Sequence, residues 1–128
     1  MWELDADALL FFNAHAAALP LFEALEKTLF ERFPEAQKRV QKTQITYYHK
    51  HVFACVSFAR VRRKAELPPS FLTLTLGLPY PLESDRVAVK TEAYPGHWTT
   101  HLVLGTEEEL DGELLGWLEE AYDFSERK

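Results

Sequence analysis

The sequence predicts an α+β fold, a two-layer sandwich in the order ααβββββα, with a five-stranded antiparallel meander sheet and helices on one face. The spacing of apolar residues is helical in the first third, alternates with a period of 2 from Arg39, and becomes helical again near the C-terminus. The connectors between the strands are too short for the helical crossover that parallel pairing requires. The length of 128 residues and the 47% hydrophobic content indicate a single domain, residues 1–128.

Two helices are predicted ahead of the sheet. Asp5 is a suitable N-cap for the first, which ends near Asn13. The second runs from about residue 16 to residue 33, because Pro34 disfavours the α conformation of the residue before it. Its apolar stripe consists of Leu21, Phe22, Leu25, Leu29 and Phe33.

Five strands follow, at residues 39–48, 51–62, 71–78, 86–94 and 97–104. Turn-forming or proline-rich segments join them, of which Pro95-Gly96 is the strongest turn signal. The last helix is predicted to begin at the capping box formed by Thr106 and Glu109. Its apolar stripe consists of Leu110, Leu114, Trp117, Leu118 and Ala121.

Alternation along each strand predicts which side chains face the helices. The helix-facing set is Ile45, Tyr47, Val52, Ala54, Val56, Phe58, Leu72, Leu74, Leu76, Val87, Val89, Trp98, Leu102 and Leu104. The opposite set is Lys42, Gln44, Thr46, Tyr48, His51, Phe53, Cys55, Ser57, Phe71, Thr73, Thr75, Arg86, Lys90, Glu92, His97, Thr99 and His101. Because three helices cover only one side of such a sheet, we expect the second face to be open, with cations, hydrogen-bonding groups and aromatic rings.

Charge is segregated along the chain. The net charge is −6, yet residues 38–64 contain eight basic residues and no acid. The other six basic residues accompany all twenty acids, so the rest of the chain carries −14. A positive face would attract phosphate, carboxylate or nucleic acid. Alternatively, the basic strands neutralise acidic helices of the same molecule.

Several short motifs are distinctive: KTQITY at 42–47, PGHWTTH at 95–101 and GWLEEAY at 116–122, preceded by FF at 11–12 and LFEAL at 21–25. Together they resemble a bacterial family of domains of unknown function, the 5655 type. Members of that family are small stand-alone proteins or C-terminal modules of chains described as predicted transport proteins. The resemblance spans about residues 9–122 and implies a fold but no chemistry.

Two positions depart from the pattern of that family. Thr100 stands where the family tends to have a histidine directly before His101, and the first hairpin turn is YHKH at 48–51 rather than an arginine and glycine run. A role that needs paired histidines is therefore not expected.

Signals for catalysis or for a cofactor are weak. His97 and His101 lie four residues apart on one strand, about 13 Å, which is too far for both to ligate one zinc ion. Cys55 is the only cysteine and lies between apolar neighbours, and the chain has no phosphate-binding glycine loop or nucleophile elbow. We therefore predict no cofactor, no metal site and no catalytic residue. Acid–base chemistry by His101 with Lys42 stays open as an alternative.

The sequence favours a non-catalytic binding module whose open sheet face takes an anionic small molecule or a protein partner. The residues predicted for this site are Lys42, Gln44, Tyr48, Lys90, His97 and His101. A small enzyme, nucleic-acid contact through the basic 38–64 hairpin and a homodimer through the open face are the alternatives. The sequence shows no membrane-spanning stretch and no secretory signal. We therefore expect a cytoplasmic location and no contact with a membrane.

Overall fold

The computed structural model describes residues 16–61, 67–68 and 70–127. The helix predicted between Asp5 and Asn13 lies outside the described residues, as do Arg62, Arg63 and Lys64 of the basic segment.

The first described helix, α1, spans Leu19–Arg32 and follows a 3₁₀ turn at Ala16–Ala18. Pro20 occupies its first turn, where a missing N–H costs least. The helix ends at Phe33, whose N–H donates to the Leu29 carbonyl at 2.8 Å. The predicted helix over 16–33 is therefore confirmed, with its first residues in the tighter 3₁₀ form.

The C-terminal helix, α2, spans Gly112–Glu126 and begins later than predicted. The capping box at Thr106 holds only a short 3₁₀ helix, Glu107–Glu109. Glu109 Oε1 accepts from the N–H groups of Thr106 at 3.1 Å and Gly105 at 2.7 Å. The chain then turns, and Asp111 caps α2 by accepting from the Leu114 N–H at 3.0 Å. The predicted single helix from Thr106 is thus two elements with separate caps.

Within the described residues, six strands form one antiparallel sheet, which confirms the α+β class with an antiparallel sheet but not the predicted number of strands. The strands are β1 (Gln37–Val40), β2 (Gln44–Tyr48), β3 (Val52–Ser57), β4 (Leu72–Leu78), β5 (Val87–Tyr94) and β6 (His97–Leu104). The predicted strand over 39–48 is two strands, because the Gln41 N–H donates to the Gln44 carbonyl at 2.8 Å and closes a tight turn. Val40 then pairs with Ile45 across the hairpin.

The predicted meander is wrong at one connection. The strand order is β1-β2-β3-β4-β6-β5, so β4 pairs with β6 and β5 lies at the edge. Residues 79–86 carry the chain past the position of β6 before β5 begins. The β5–β6 hairpin then returns through Pro95 and Gly96, and Gly96 has a φ of 78°, a conformation that favours glycine.

The core lies between the helices and one face of the sheet. α2 packs on β3 and β4. From α1, Phe30 contacts the ring of Tyr47 on β2, at 5.9 Å between centroids. Phe33 and Tyr122 both contact the ring of Phe53 on β3, at 5.5 and 5.1 Å. The contacts of both helices therefore join in one core, and no helix in the described part of the chain is long and apolar enough to cross a membrane.

Two irregularities reverse predicted side-chain directions. A register shift at Tyr47 and Tyr48 places Phe53 in the core, 1% exposed, and Val52 at the surface, 52% exposed. A second shift, between Val87 and Val89, places Val89 opposite His101 and leaves it 39% exposed. Both valines were predicted to face the helices, and the extra residue of a β-bulge explains why they do not.

Candidate functional site

The sheet face that points away from the core carries a row of laterally paired residues. We call this face the polar face. From one edge of the sheet to the other, the row is Arg39, Thr46, Cys55, Thr75, His101 and Val89. Its centre is not freely open, since Thr46 is 4% exposed and the next three residues are half-buried. The exposed groups are at the two ends of the row, Arg39 and Val89.

The β1–β2 end of the polar face is cationic and aromatic. Arg39 is exposed, and its guanidinium carbon lies 5.1 Å from the centroid of the Tyr48 ring, a cation–π distance. The Tyr48 hydroxyl donates to Gln37 Oε1 at 3.3 Å. Lys42 is exposed in the turn between β1 and β2. Neither Arg39 nor Lys42 forms an ion pair with any residue in the described ranges.

Gln44 lies two residues after Lys42, half-buried at the start of β2. Its amide nitrogen donates to Gln41 Oε1 at 3.2 Å and to Thr46 Oγ1 at 3.1 Å. Thr46 in turn donates to Gln41 Oε1 at 2.8 Å, so a local hydrogen-bond network fixes the Gln44 side chain. We call Arg39, Lys42, Gln44 and Tyr48 together the basic edge.

The other described lysines of the basic segment are neutralised by helices. Lys38 forms an ion pair with Glu26 of α1 at 2.7 Å, and Lys50 lies 3.8 Å from Glu126 of α2. The interpretation in which basic strands neutralise acidic helices therefore holds for these two residues. It does not account for Arg39 and Lys42.

His101 lies near the middle of the polar face, away from the basic edge. Its Nδ1 is 2.9 Å from Thr75 Oγ1, and burial lowers the pKa of His101 below its usual value. Burial raises the pKa of the neighbouring Cys55 thiol, against a hydrogen bond from Thr75 that lowers it. Both shifts favour neutral forms, whereas a nucleophilic cysteine needs its thiolate. Lys42 lies in the turn that leads into β2. Thr46 on β2 is three strand spacings from His101, about 14 Å, so His101 and Lys42 are not brought together.

Lys90 is on the opposite face from the one predicted. The bulge after Val87 pairs Lys90 with Thr100. On its other side Thr100 pairs with Leu76, which is buried in the core, so Lys90 lies on the helix side of the sheet. The Lys90 Nζ donates to the Leu82 carbonyl at 3.2 Å and forms an ion pair with Glu83 at 2.7 Å. Lys90 is therefore not part of a site with His101.

His97 is also separate from the basic edge. It begins β6, with its ring 3.9 Å from that of Tyr94 and 5.0 Å from that of Phe124. Its Nδ1 is buried without a hydrogen-bond partner in the described part of the molecule. Of the six predicted site residues, Lys42, Gln44 and Tyr48 thus lie on the β1–β2 hairpin, together with Arg39, which is not among the predicted residues.

A buried polar cluster under β1 and β2 also escaped the prediction. Glu26, fully buried in α1, accepts from the Tyr47 hydroxyl at 2.8 Å and from Lys38 at 2.7 Å. Burial, and then the negative charge of Glu26, raise the pKa of Tyr47 well above its usual value. The signal was present in the sequence, because Glu26 lies four residues after Phe22, within the apolar stripe of α1.

The turn between β2 and β3 is tied to the acidic ends of the helices. His49 Nδ1 contacts Glu126 of α2, and its Nε2 lies 3.4 Å from Glu35. The hydrogen bond from His49 lowers the pKa of Glu126. Within residues 16–61, 67–68 and 70–127, no group of three histidine, cysteine or acidic residues is arranged to hold a metal ion.

Comparisons with known proteins bear on the family alone. Neither the curated proteins nor the solved structures gave a significant match to the chain. The profile of the family described as "Domain of unknown function (DUF5655)" matches residues 10–125, which is most of the chain. The motifs at 42–47, 95–101 and 116–122 and the α+β architecture thus lie in a chain that belongs to the family Domain of unknown function (DUF5655).

Proposed function

We propose that this domain is a non-catalytic binding module whose basic edge takes an anionic ligand, a molecule that carries a phosphate or carboxylate group. The observation that carries the proposal is the pair of exposed cations, Arg39 and Lys42, which have no acidic partner in the described residues. The chain has a net charge of −6, so acidic groups are plentiful, and other lysines of the same segment are paired with them.

The chemistry of the basic edge suits such a ligand. A guanidinium group presents a planar fork of donors that matches a carboxylate or phosphate, and an ammonium group adds a mobile point charge. Tyr48 supports the Arg39 guanidinium from one side, which limits its freedom before binding. Gln44 donates its amide N–H groups to Gln41 and Thr46, so it holds the β1–β2 turn in place rather than contacting the ligand. Arg39 and Lys42 supply the charge and the directional hydrogen bonds to the anionic ligand.

The test is isothermal titration calorimetry with pyrophosphate and with citrate at constant ionic strength. We expect the double variant R39Q/K42Q to bind at least about tenfold more weakly than the parent, since each lost contact is a charge-assisted hydrogen bond. K27Q/R127Q is the matched control, because it removes the same charge from two exposed cations elsewhere, one on α1 and one directly after α2. K90Q is expected to bind like the parent. Equal weakening in the control, or no binding of either anion, would contradict the proposal.

The two alternatives predict different results. Nucleic-acid contact predicts that affinity for a single strand falls steeply with salt and that Tyr48 stacks on a base. One face of the Tyr48 ring already carries Arg39, which favours the small anion. An enzyme that uses His101 with Lys42 predicts activity lost on H101N, although the two residues lie on strands far apart in the sheet.

A further inference from the structure

The strand β5 is a long edge of the sheet. It pairs with β6 on one side, and no strand in the described ranges pairs with its other side. Apart from the ladder with β6, the one backbone hydrogen bond described for it joins the Val87 N–H to the Ser84 carbonyl at 3.1 Å. Residues 91–94 are all exposed, and Tyr94 is 54% exposed. An edge strand turns a row of N–H and C=O groups outward, which is a template for pairing with another strand.

The regular part of this edge is short and carries opposite charges. Register shifts interrupt β5 between Val87 and Val89 and between Glu92 and Tyr94, so Val89–Glu92 is the regular stretch. Lys90 and Glu92 pair with Thr100 and Trp98, two residues apart on β6, and therefore share one face. Val89 and Thr91 share the other face, the polar face.

Symmetry restricts how two copies of this edge can pair. Residues opposite each other in an antiparallel pair point to the same face. A two-fold axis perpendicular to the sheet must therefore lie midway between one residue and its own copy in the second chain. An axis at Lys90 sets lysine against lysine, and an axis at Glu92 sets glutamate against glutamate. An axis at Val89 or Ala93 places a bulge next to the centre of the pairing. An axis at Thr91 sets each Lys90 opposite Glu92 of the other copy.

We infer that two copies of this chain pair edge to edge through β5, in the antiparallel register centred on Thr91. The two reciprocal pairs of Lys90 with Glu92 select this register, because opposite charges across a strand pair stabilise it and like charges destabilise it. The bulges keep the pairing short, so the dimer dissociates on dilution. This surface is separate from the basic edge, which lies at the far side of the sheet.

Cysteine crosslinking tests the register. In a C55S background, T91C places two cysteines opposite each other at the two-fold axis, and mild oxidation with diamide should give a disulfide-linked dimer. V89C is the matched control, because Val89 lies on the same strand and face but is set opposite Ala93 of the second copy. We expect at least about tenfold less crosslinked dimer from V89C, since its cysteines are about four residues apart along the pair. Equal crosslinking of the two variants would overturn the register.

Charge exchange tests the partner. K90E sets glutamate against Glu92, and E92K sets lysine against Lys90, so each variant alone should dimerise about tenfold more weakly in sedimentation equilibrium. A mixture of the two variants restores both opposite-charge pairs and should form a heterodimer as tightly as the parent forms its homodimer. E92K leaves the contact of Lys90 with Glu83 in place, which makes it the cleaner single variant.

A parent that stays monomeric, a dimer insensitive to E92K, or a mixture without recovery would each overturn the inference. Far-ultraviolet circular dichroism verifies that the variants fold.

Discussion

Replacing Tyr47 by phenylalanine removes a single hydroxyl group from the core. That hydroxyl donates to Glu26 Oε2 at 2.8 Å, and both residues are fully buried. The ring stays, and with it the edge contact to Phe30. Y47F therefore isolates one hydrogen bond to a carboxylate at a site from which water is excluded.

The expected cost of Y47F is about 1–3 kcal/mol in the free energy of unfolding, because a buried group that loses its partner cannot exchange it for water. Tyr80 provides a matched control with the same chemistry at the surface. Its hydroxyl is 3.0 Å from both oxygens of Glu120, and water can replace it there. Y80F should cost less than about 0.5 kcal/mol.

Urea unfolding followed by tryptophan fluorescence measures both variants on the same protein. Y47F repeated in an E26Q background should cost less than in the parent, because a hydrogen bond to a neutral acceptor is weaker than one to a charged acceptor. A cost of Y47F no larger than that of Y80F would show that the Tyr47 hydroxyl contributes no more than an exposed one. An equal cost with glutamate and with glutamine at position 26 would show that the charge of Glu26 does not strengthen the hydrogen bond.

Three further results are expected. F53A should cost about 3–5 kcal/mol and V52A less than about 0.5 kcal/mol in the same unfolding assay, because the bulge buries the phenylalanine and exposes the valine; similar costs would place the bulge elsewhere. Burial lowers the pKa of His101 in the folded state, so the unfolded chain binds more protons, and stability should fall as pH drops through the usual value of 6.5. H101N should flatten that part of the dependence of stability on pH, and an unchanged slope would refute the assignment to His101. Tyr47 has a raised pKa when folded, so stability should fall as pH rises above its usual value of 10.0, and Y47F should reduce that loss; an equal alkaline loss in Y47F would count against it.

Most of the architecture follows from local patterns in the sequence. The stripe of α1, the alternation of the strands and the turn at Pro95 and Gly96 depend on neighbouring residues, and each appears in the structure near its predicted place. The number and order of strands required two observations about length. A predicted strand of ten residues exceeds the usual five or six, which indicates a hidden turn, found at residues 41–44. The connection over 79–86 is longer than a hairpin loop, which indicates that β4 and β5 are not neighbours.

The site was harder to predict, because bulges move side chains between faces and leave no clear signal in composition. The extra residue between Val87 and Val89 moves Lys90 to the helix side, where Glu83 pairs with it. Arg39 is absent from the predicted site because its place beside Tyr48 depends on the β1–β2 hairpin. The sequence does not indicate which cations form ion pairs, because Lys38 and Lys50 pair with acidic residues on helices that are distant in sequence. Pairing of charges across the fold is a tertiary property.

The most direct test of anion binding at the basic edge is a ¹H–¹⁵N correlation spectrum recorded during titration with pyrophosphate at constant ionic strength. The saturable amide shifts should cluster in residues 37–48, and R39Q/K42Q should abolish them without disturbing the rest of the spectrum. Saturable shifts centred on another part of the fold, or no saturable shifts at all, would contradict anion binding at the basic edge.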